Sequence, residues 1–253
     1  MGRGVNYLRK RDYDRAIQDF DEVIRLNPKS SGAFTNRGAS YLQKGDYERA
    51  IQDFDKAIQL NPRNKVVFSQ RGDLFYREGD YERAIQDFSE YIRLNPGSAR
   101  AFKNRGRARF YSGQSSAAAS DFVHAADADP QYIYAPIWLY LARSRAGRQG
   151  EARSELAKYA AGADLTKWPG PVINLYLDRE TPESILNSAR DSAPSKDREQ
   201  HCEAFFYLGQ LALQKGERQE ANRRFQQAID TGVTYFEEYL DAQIELDRLA
   251  TMR

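Results

Sequence analysis

Two histidines and one cysteine, His124, His201 and Cys202, are the side chains best suited to acid–base, nucleophilic or metal chemistry in this 253-residue chain. His201 and Cys202 are adjacent and pair an imidazole with a thiol, the partners that nucleophilic catalysis uses. On a helix, however, adjacent residues point in different directions, so the two do not converge on one reacting atom. Cys202 reads better as a small packed residue. His124 has no second histidine at ligand spacing, and helical zinc chemistry needs HExxH or its equivalent. Carboxylate pairs such as Asp53 and Asp55 stand beside Lys56 and read as solvated helix surface. No glycine-rich phosphate loop and no G-x-S-x-G elbow occurs, and Arg3-Gly4 and Arg37-Gly38 read as helix-packing glycines. A non-catalytic protein with no metal site and no cofactor is expected.

Composition narrows the partners. The chain is 41% apolar and 29% charged with a net charge of +2, which provides a core but no general attraction to nucleic acid. No apolar run approaches the length of a membrane span. A single cysteine rules out an intramolecular disulfide. The start carries neither a signal-peptide pattern nor a myristoylation motif and reads as the inside of a helix, so a sequence extending upstream is expected.

What must position any functional residue is a repeat. "GDYERAIQDF" occurs at 45–54 and again at 79–88, with the near copy "RDYDRAIQDF" at 11–20. The same beat of 34 residues runs through Gly4, Gly38, Gly72 and Gly106, and through Pro28, Pro62, Pro96 and Pro130. Ala16, Ala50, Ala84 and Ala118 are each followed four residues later by Phe20, Phe54, Phe88 and Phe122, which puts small and aromatic side chains on one helical face. Each unit reads as helix A, a tight turn, helix B and a stop at Asn-Pro, because proline lacks an N–H and disfavours helix in the residue before it. A fixed period of this length is the mark of a stacked-helix array.

The pattern resembles the tetratricopeptide repeat. Full repeats fall at 31–64, 65–98 and 99–132. A first repeat ending at 30 lacks its opening positions, a fifth begins at 133 with Tyr140 at the usual glycine, and a sixth begins at Cys202. The implied fold is all-α, a right-handed superhelix of paired antiparallel helices closed by a capping helix at 236–249. Helix A residues would then line a concave groove for partner proteins or extended peptides. The residues expected there are Asn36, Gln70, Asp73, Tyr76, Arg100, Lys103, Asn104 and Arg107. Asn36, Gln70 and Asn104 share one repeat position and could donate to and accept from a peptide backbone.

Arg100, Lys103, Arg105, Arg107 and Arg109 lie close together with no acid among them, a basic patch suited to an acidic segment. Lys103 and Arg107 resemble half of the co-chaperone carboxylate clamp, but Thr35 and Ala39 stand where its other half needs Lys and Asn. The arginine recurring as Arg3, Arg37, Arg71 and Arg105 reads as structural, its stem covering the inter-helix seam. Between Phe110 and Ala142 no lysine or arginine occurs. Tyr134, Trp138 and Tyr140 in that stretch are either a contact surface or buried within the chain.

The beat is lost between residues 160 and 200, where two short helices are expected, one after the Pro-Gly-Pro turn of 164–177 and one at 181–193 capped by Thr181. The series "IWLYLAR", "WPGPVINLYL", "CEAFFYLGQLALQKGERQEANRRFQQAI" and "FEEYLDAQIEL" resembles the C-terminal part of NlpI-type bacterial outer-membrane lipoproteins. That resemblance implies a periplasm-facing adaptor docking proteases and cell-wall hydrolases, a homodimer, and a lipid anchor lying upstream of this chain. The expected domains are a regular array (1–132), a divergent repeat with the irregular segment (133–201), and a last repeat with its cap (202–253). The alternative is a cytoplasmic, co-chaperone-like peptide-binding module, or the targeting part of a larger enzyme.

Overall fold

The computed structural model describes residues 2–251, and among these there are fifteen α-helices and no strand. The chain divides into two compact units, one ending at Gly113 and the other starting at Gln114.

The first unit contains α1 (Gly2–Arg9), α2 (Tyr13–Leu26), α3 (Ser31–Gln43), α4 (Tyr47–Leu60), α5 (Lys65–Arg77), α6 (Tyr81–Leu94) and α7 (Ala99–Tyr111). Each helix packs on the next, with α1, α3 and α5 as A helices and α2, α4 and α6 as their B partners. The turn between partners follows from two residues. Gly45 and Gly79 take left-handed conformations, at φ 78° and 77°. The aspartate that follows then caps helix B: Asp46 accepts the N–H of Arg49 at 3.3 Å and Asp80 that of Arg83 at 3.0 Å. Helix B ends at Asn-Pro, where Asn27 and Asn61 accept the N–H two residues on.

The A–B seam is set by glycine. A Cβ on Gly38 would lie 2.8 Å from the Phe54 ring, and one on Gly72 would lie 2.8 Å from Phe88. These rings, with Ala50 and Ala84, are buried. A methyl group in place of the glycine hydrogen would push the two helices apart.

The recurring arginines do more than cover the seam. Arg37 holds Asp53 of its own helix B with both nitrogens, at 2.7 and 2.8 Å, and reaches Asp21 of the preceding helix B at 2.6 Å. Arg71 repeats this with Asp87 and Asp55. The expectation of a solvated Asp53/Asp55 surface is thus corrected. Asp53 is 5% exposed and Asp87 3%, because each faces an arginine on helix A; Asp55 stays outside and joins successive repeats. Burial pushes the Asp87 carboxyl up even with Arg71 on both its oxygens.

The second unit contains α8 (Ser115–Ala128), α9 (Tyr134–Arg145), α10 (Gln149–Ala160), α11 (Gly170–Tyr176), α12 (Pro182–Ser188), α13 (Pro194–Gln214), α14 (Arg218–Asp230) and α15 (Glu237–Thr251). The irregular segment forms the two short helices α11 and α12. Thr181 caps α12 reciprocally: its Oγ1 accepts the Ser184 N–H and its own N–H donates to Ser184 Oγ. Leu175, Ile185, Ala189, Ala204 and Leu208 form the core joining α11, α12 and α13. The sixth repeat's helix A starts at Pro194, ahead of the expected Cys202, and runs 21 residues. Proline at its first position and Asp197 in its first turn suit that start. The final helix α15 packs on α13 and α14 as the cap. No helix of the described residues is long and apolar enough to cross a membrane.

The first unit yields two stability predictions. Arg11 holds the turn position of Gly45 and is left-handed at φ 59°, so Arg11→Gly should relieve roughly 1 kcal/mol of strain and raise the melting temperature. An unchanged or lower melt would contradict that account. Arg71→Met leaves the buried Asp87 without its partner and should cost about 3 kcal/mol in urea unfolding. Asp55→Ala, which removes only the outer contact, should cost under about 1 kcal/mol.

Candidate functional site

The A helices of the first unit bring several of the expected groove residues together. At the position before Asn36, Thr35 is buried and already paired: its hydroxyl donates to Ser31 O at 2.9 Å and accepts the Asn64 amide at 3.3 Å. On α7, Asn104 donates through Nδ2 to Asp73 Oδ1 on α5 at 2.9 Å. The Asp73 carboxylate can only accept, so it fixes which way the Asn104 amide points. Arg100, whose side chain is 72% exposed, approaches the other Asp73 oxygen at 3.6 Å.

Asn36 and Gln70 are half-buried at the same repeat position. Gln70 Oε1 and Asn104 Oδ1 are buried acceptors with no hydrogen-bond partner. Tyr76 is buried beside Tyr81 and Tyr111, at ring distances of 5.6 and 6.1 Å. Arg107 is 5% exposed and lies over the Tyr76 ring at 5.0 Å. It packs within the unit instead of standing open in a groove, because the aromatic face attracts its guanidinium. Lys103 is half-buried on the same helix. The face is therefore a row of amides with one exposed arginine and the half-exposed apolar side chain of Val66.

In the second unit, Trp138 is 2% exposed, stacked on Phe122 at 5.7 Å and against Phe206 at 5.9 Å. Tyr140 stacks on Tyr176 at 4.8 Å. Both rings are enclosed by their own unit and offer almost no surface to a partner. Tyr134 is partly buried and donates to Glu203 Oε2 at 2.8 Å, which also accepts from Trp168 Nε1 at 3.0 Å.

Glu203, which no sequence motif singles out, is 3% exposed. Burial raises its carboxyl to about 7, aided by the Glu199 charge and opposed by the Tyr134 and Trp168 donors. It borders a cavity of about 330 Å³ with Tyr132, Tyr134, Tyr235, Phe236 and Glu238. An acid inside the apolar run "CEAFFYLG" was the available signal. Cys202 is buried and its thiol is pushed up to about 12 by that burial, a poor setting for a nucleophile. His124 and His201 each place Nδ1 against a carbonyl one turn back, at 2.7 and 2.8 Å.

Stacked helix pairs with a polar face on the A helices define an α-solenoid interaction scaffold. More particularly, the chain is built of tetratricopeptide repeats: descriptions of that repeat match residues 1–30, 32–64, 69–133 and 203–231. Solved structures share the fold at low identity. A tetratricopeptide repeat protein from Parabacteroides merdae is 16% identical, with a TM-score of 0.66 over 97% of this chain and 96% of its own. MamA from Desulfovibrio magneticus RS-1 is 22% identical, with a TM-score of 0.58 over 63% and 90%. PilW, a type IV pilus biogenesis factor, is 18% identical, with a TM-score of 0.56 over 93% and 92%.

The Glu203 environment has a pH consequence. Its folded value lies above the ordinary carboxylate range, so the native state keeps a proton that the unfolded chain releases. Stability from this group is present at low pH and falls as pH rises toward and through about 7. Glu203→Gln should therefore melt close to the parent near pH 4 and several degrees above it near pH 8. Melting curves that stay parallel across that range would reject the assignment.

Proposed function

We propose that the chain is a non-catalytic adaptor that holds an extended segment of a partner protein against α3, α5 and α7, with Asn36, Gln70 and Asn104 reading its backbone. The observation that carries this reading is the pair of unmatched acceptors, Gln70 Oε1 and Asn104 Oδ1, at the same position of successive repeats. A buried acceptor without a donor costs ~1–3 kcal/mol, and an N–H from a bound main chain would remove that cost. Neighbouring helices lie roughly 8–10 Å apart, about the rise of three residues of extended chain, so contacts would fall on every third residue of the partner. Val66 gives the segment an apolar foothold and Arg100 favours an acid near α7.

The resemblance of residues 133–249 to NlpI-type lipoproteins supports taking the partners to be envelope proteases or cell-wall hydrolases, and supports self-association into a dimer.

The test is capture of partners from envelope and cytosolic extracts of the source cells, read by mass spectrometry. The parent is compared with Gln70→Ala/Asn104→Ala and with Lys103→Glu, each matched to it by helical circular dichroism. The parent should retain proteases or hydrolases, and the double variant should lose roughly tenfold of that binding through two missing hydrogen bonds. Undiminished retention by both variants would take the contact off this face. Enrichment of cytosolic proteins alone would replace the envelope reading with a cytoplasmic peptide-binding module.

A further inference from the structure

A cavity of about 410 Å³ opens in the second unit between α9, α13 and α15. Its apolar wall is Leu141, Leu213 and Leu249, and its polar side groups are not evenly matched. Arg145 donates to Glu245 Oε1 at 2.6 Å and to Gln210 Oε1 at 3.2 Å, while Gln210 Nε2 donates to the same Glu245 oxygen at 2.9 Å. Arg145 and Glu245 thus cancel as charges. The Gln214 carbonyl accepts both Tyr140 Oη–H and Gln149 Nε2, each at 3.2 Å, which leaves the Gln214 amide N–H to the cavity. Arg248 Nη1 and Ser144 Oγ, which also line it, are buried atoms with no hydrogen-bond partner. One positive charge and two or three donors remain over.

We propose that this cavity takes a carboxylate from a partner polypeptide, with Arg248 as the charged donor, Ser144 Oγ–H as the second, and the three leucines against the attached apolar group. A carboxylate has acceptor sites for all of these donors, and its bond to a guanidinium is of the charge-assisted kind. Its single charge matches the single surplus. A phosphate, at nearly twice that charge, would set its excess beside Glu245. The volume is within the range of small-molecule sites. This site is separate from the α3, α5 and α7 face and does not rest on the reading of that face.

The test uses ¹⁵N-labelled protein titrated with three probes: N-acetyl-leucine, N-acetyl-leucinamide and N-acetyl-isoglutamine. The first carries a chain-end carboxylate, the second no charge, and the third a side-chain carboxylate. At least one acid should give saturable shifts at the Ser144 amide and the Arg248 Nε–H, and the leucinamide should give none there. Tighter binding of N-acetyl-leucine assigns the site to a chain terminus, and tighter binding of N-acetyl-isoglutamine to an acidic side chain; either supports the proposal. Arg248→Met should weaken the acid roughly tenfold or more and Ser144→Ala roughly threefold, while Gln70→Ala/Asn104→Ala leaves it unchanged. The proposal falls if the leucinamide binds as well as the acids, if no probe shifts these signals, or if both second-unit variants bind like the parent.

Discussion

Everything in the first unit depends on how closely a phenylalanine ring can approach a helix backbone. Gly38 and Gly72 leave no room for a Cβ against Phe54 and Phe88, so the A and B helices meet at a separation that any larger residue would abolish. Gly209 and Phe225 rebuild the same contact in the second unit, where a Cβ would be 2.5 Å from the ring. Close packing of this kind tolerates little change in volume. The alanine one turn before each ring keeps the remaining surface small, and the polar side chains are turned outward by the same periodicity.

That spacing lets one arginine serve two repeats. Arg37 and Arg71 each sit between the aspartate of their own helix B and the aspartate of the helix B before it. The inner aspartates are buried, so their charge is tolerated only while the guanidinium is present. The outer contacts are more exposed and contribute less, yet they make each repeat sense its neighbour, as the nearest-neighbour account of solenoid stability requires. At Arg105 the outer partner is Ser89, reached at 3.1 Å, so an ion pair gives way there to a hydrogen bond with a neutral group.

Legibility in the sequence followed the range of the interaction. Caps, turns and stops were readable because each is decided within four residues: glycine before aspartate at Gly45-Asp46, proline after asparagine at Asn61-Pro62, threonine before proline at Thr181-Pro182. The helix pairs were readable because their contacts recur. Asp55 is on the surface as expected, but the burial of Asp53 was misjudged because its partner, Arg37, lies on another helix 16 residues away. The recurrence of Asp19, Asp53 and Asp87 at that offset from Arg3, Arg37 and Arg71 held the information. Arg107 could not be placed in advance, since only the fold brings Tyr76 beneath it. Nor could Ser144 and Arg248 be joined, since they meet across helices more than a hundred residues apart.

Identity between repeats also makes their helices interchangeable. α4 and α6 open with the same eight residues, at 47–54 and 81–88, behind the same Gly-Asp turn, so either B helix satisfies the glycine seam of either A helix. Within one molecule the short link from Gln43 to Tyr47 keeps α4 against α3. Between two partly unfolded molecules no such tether exists, and α6 of one chain can dock on α3 of another at little loss of packing. Discrimination then falls to the A helices, which differ at half-buried positions, such as Asn36 against Gln70, and inside the packing, where Ser40 stands against Leu74. Differences between the A helices thus work against exchange between copies of the chain, the more so the more concentrated the refolding chain.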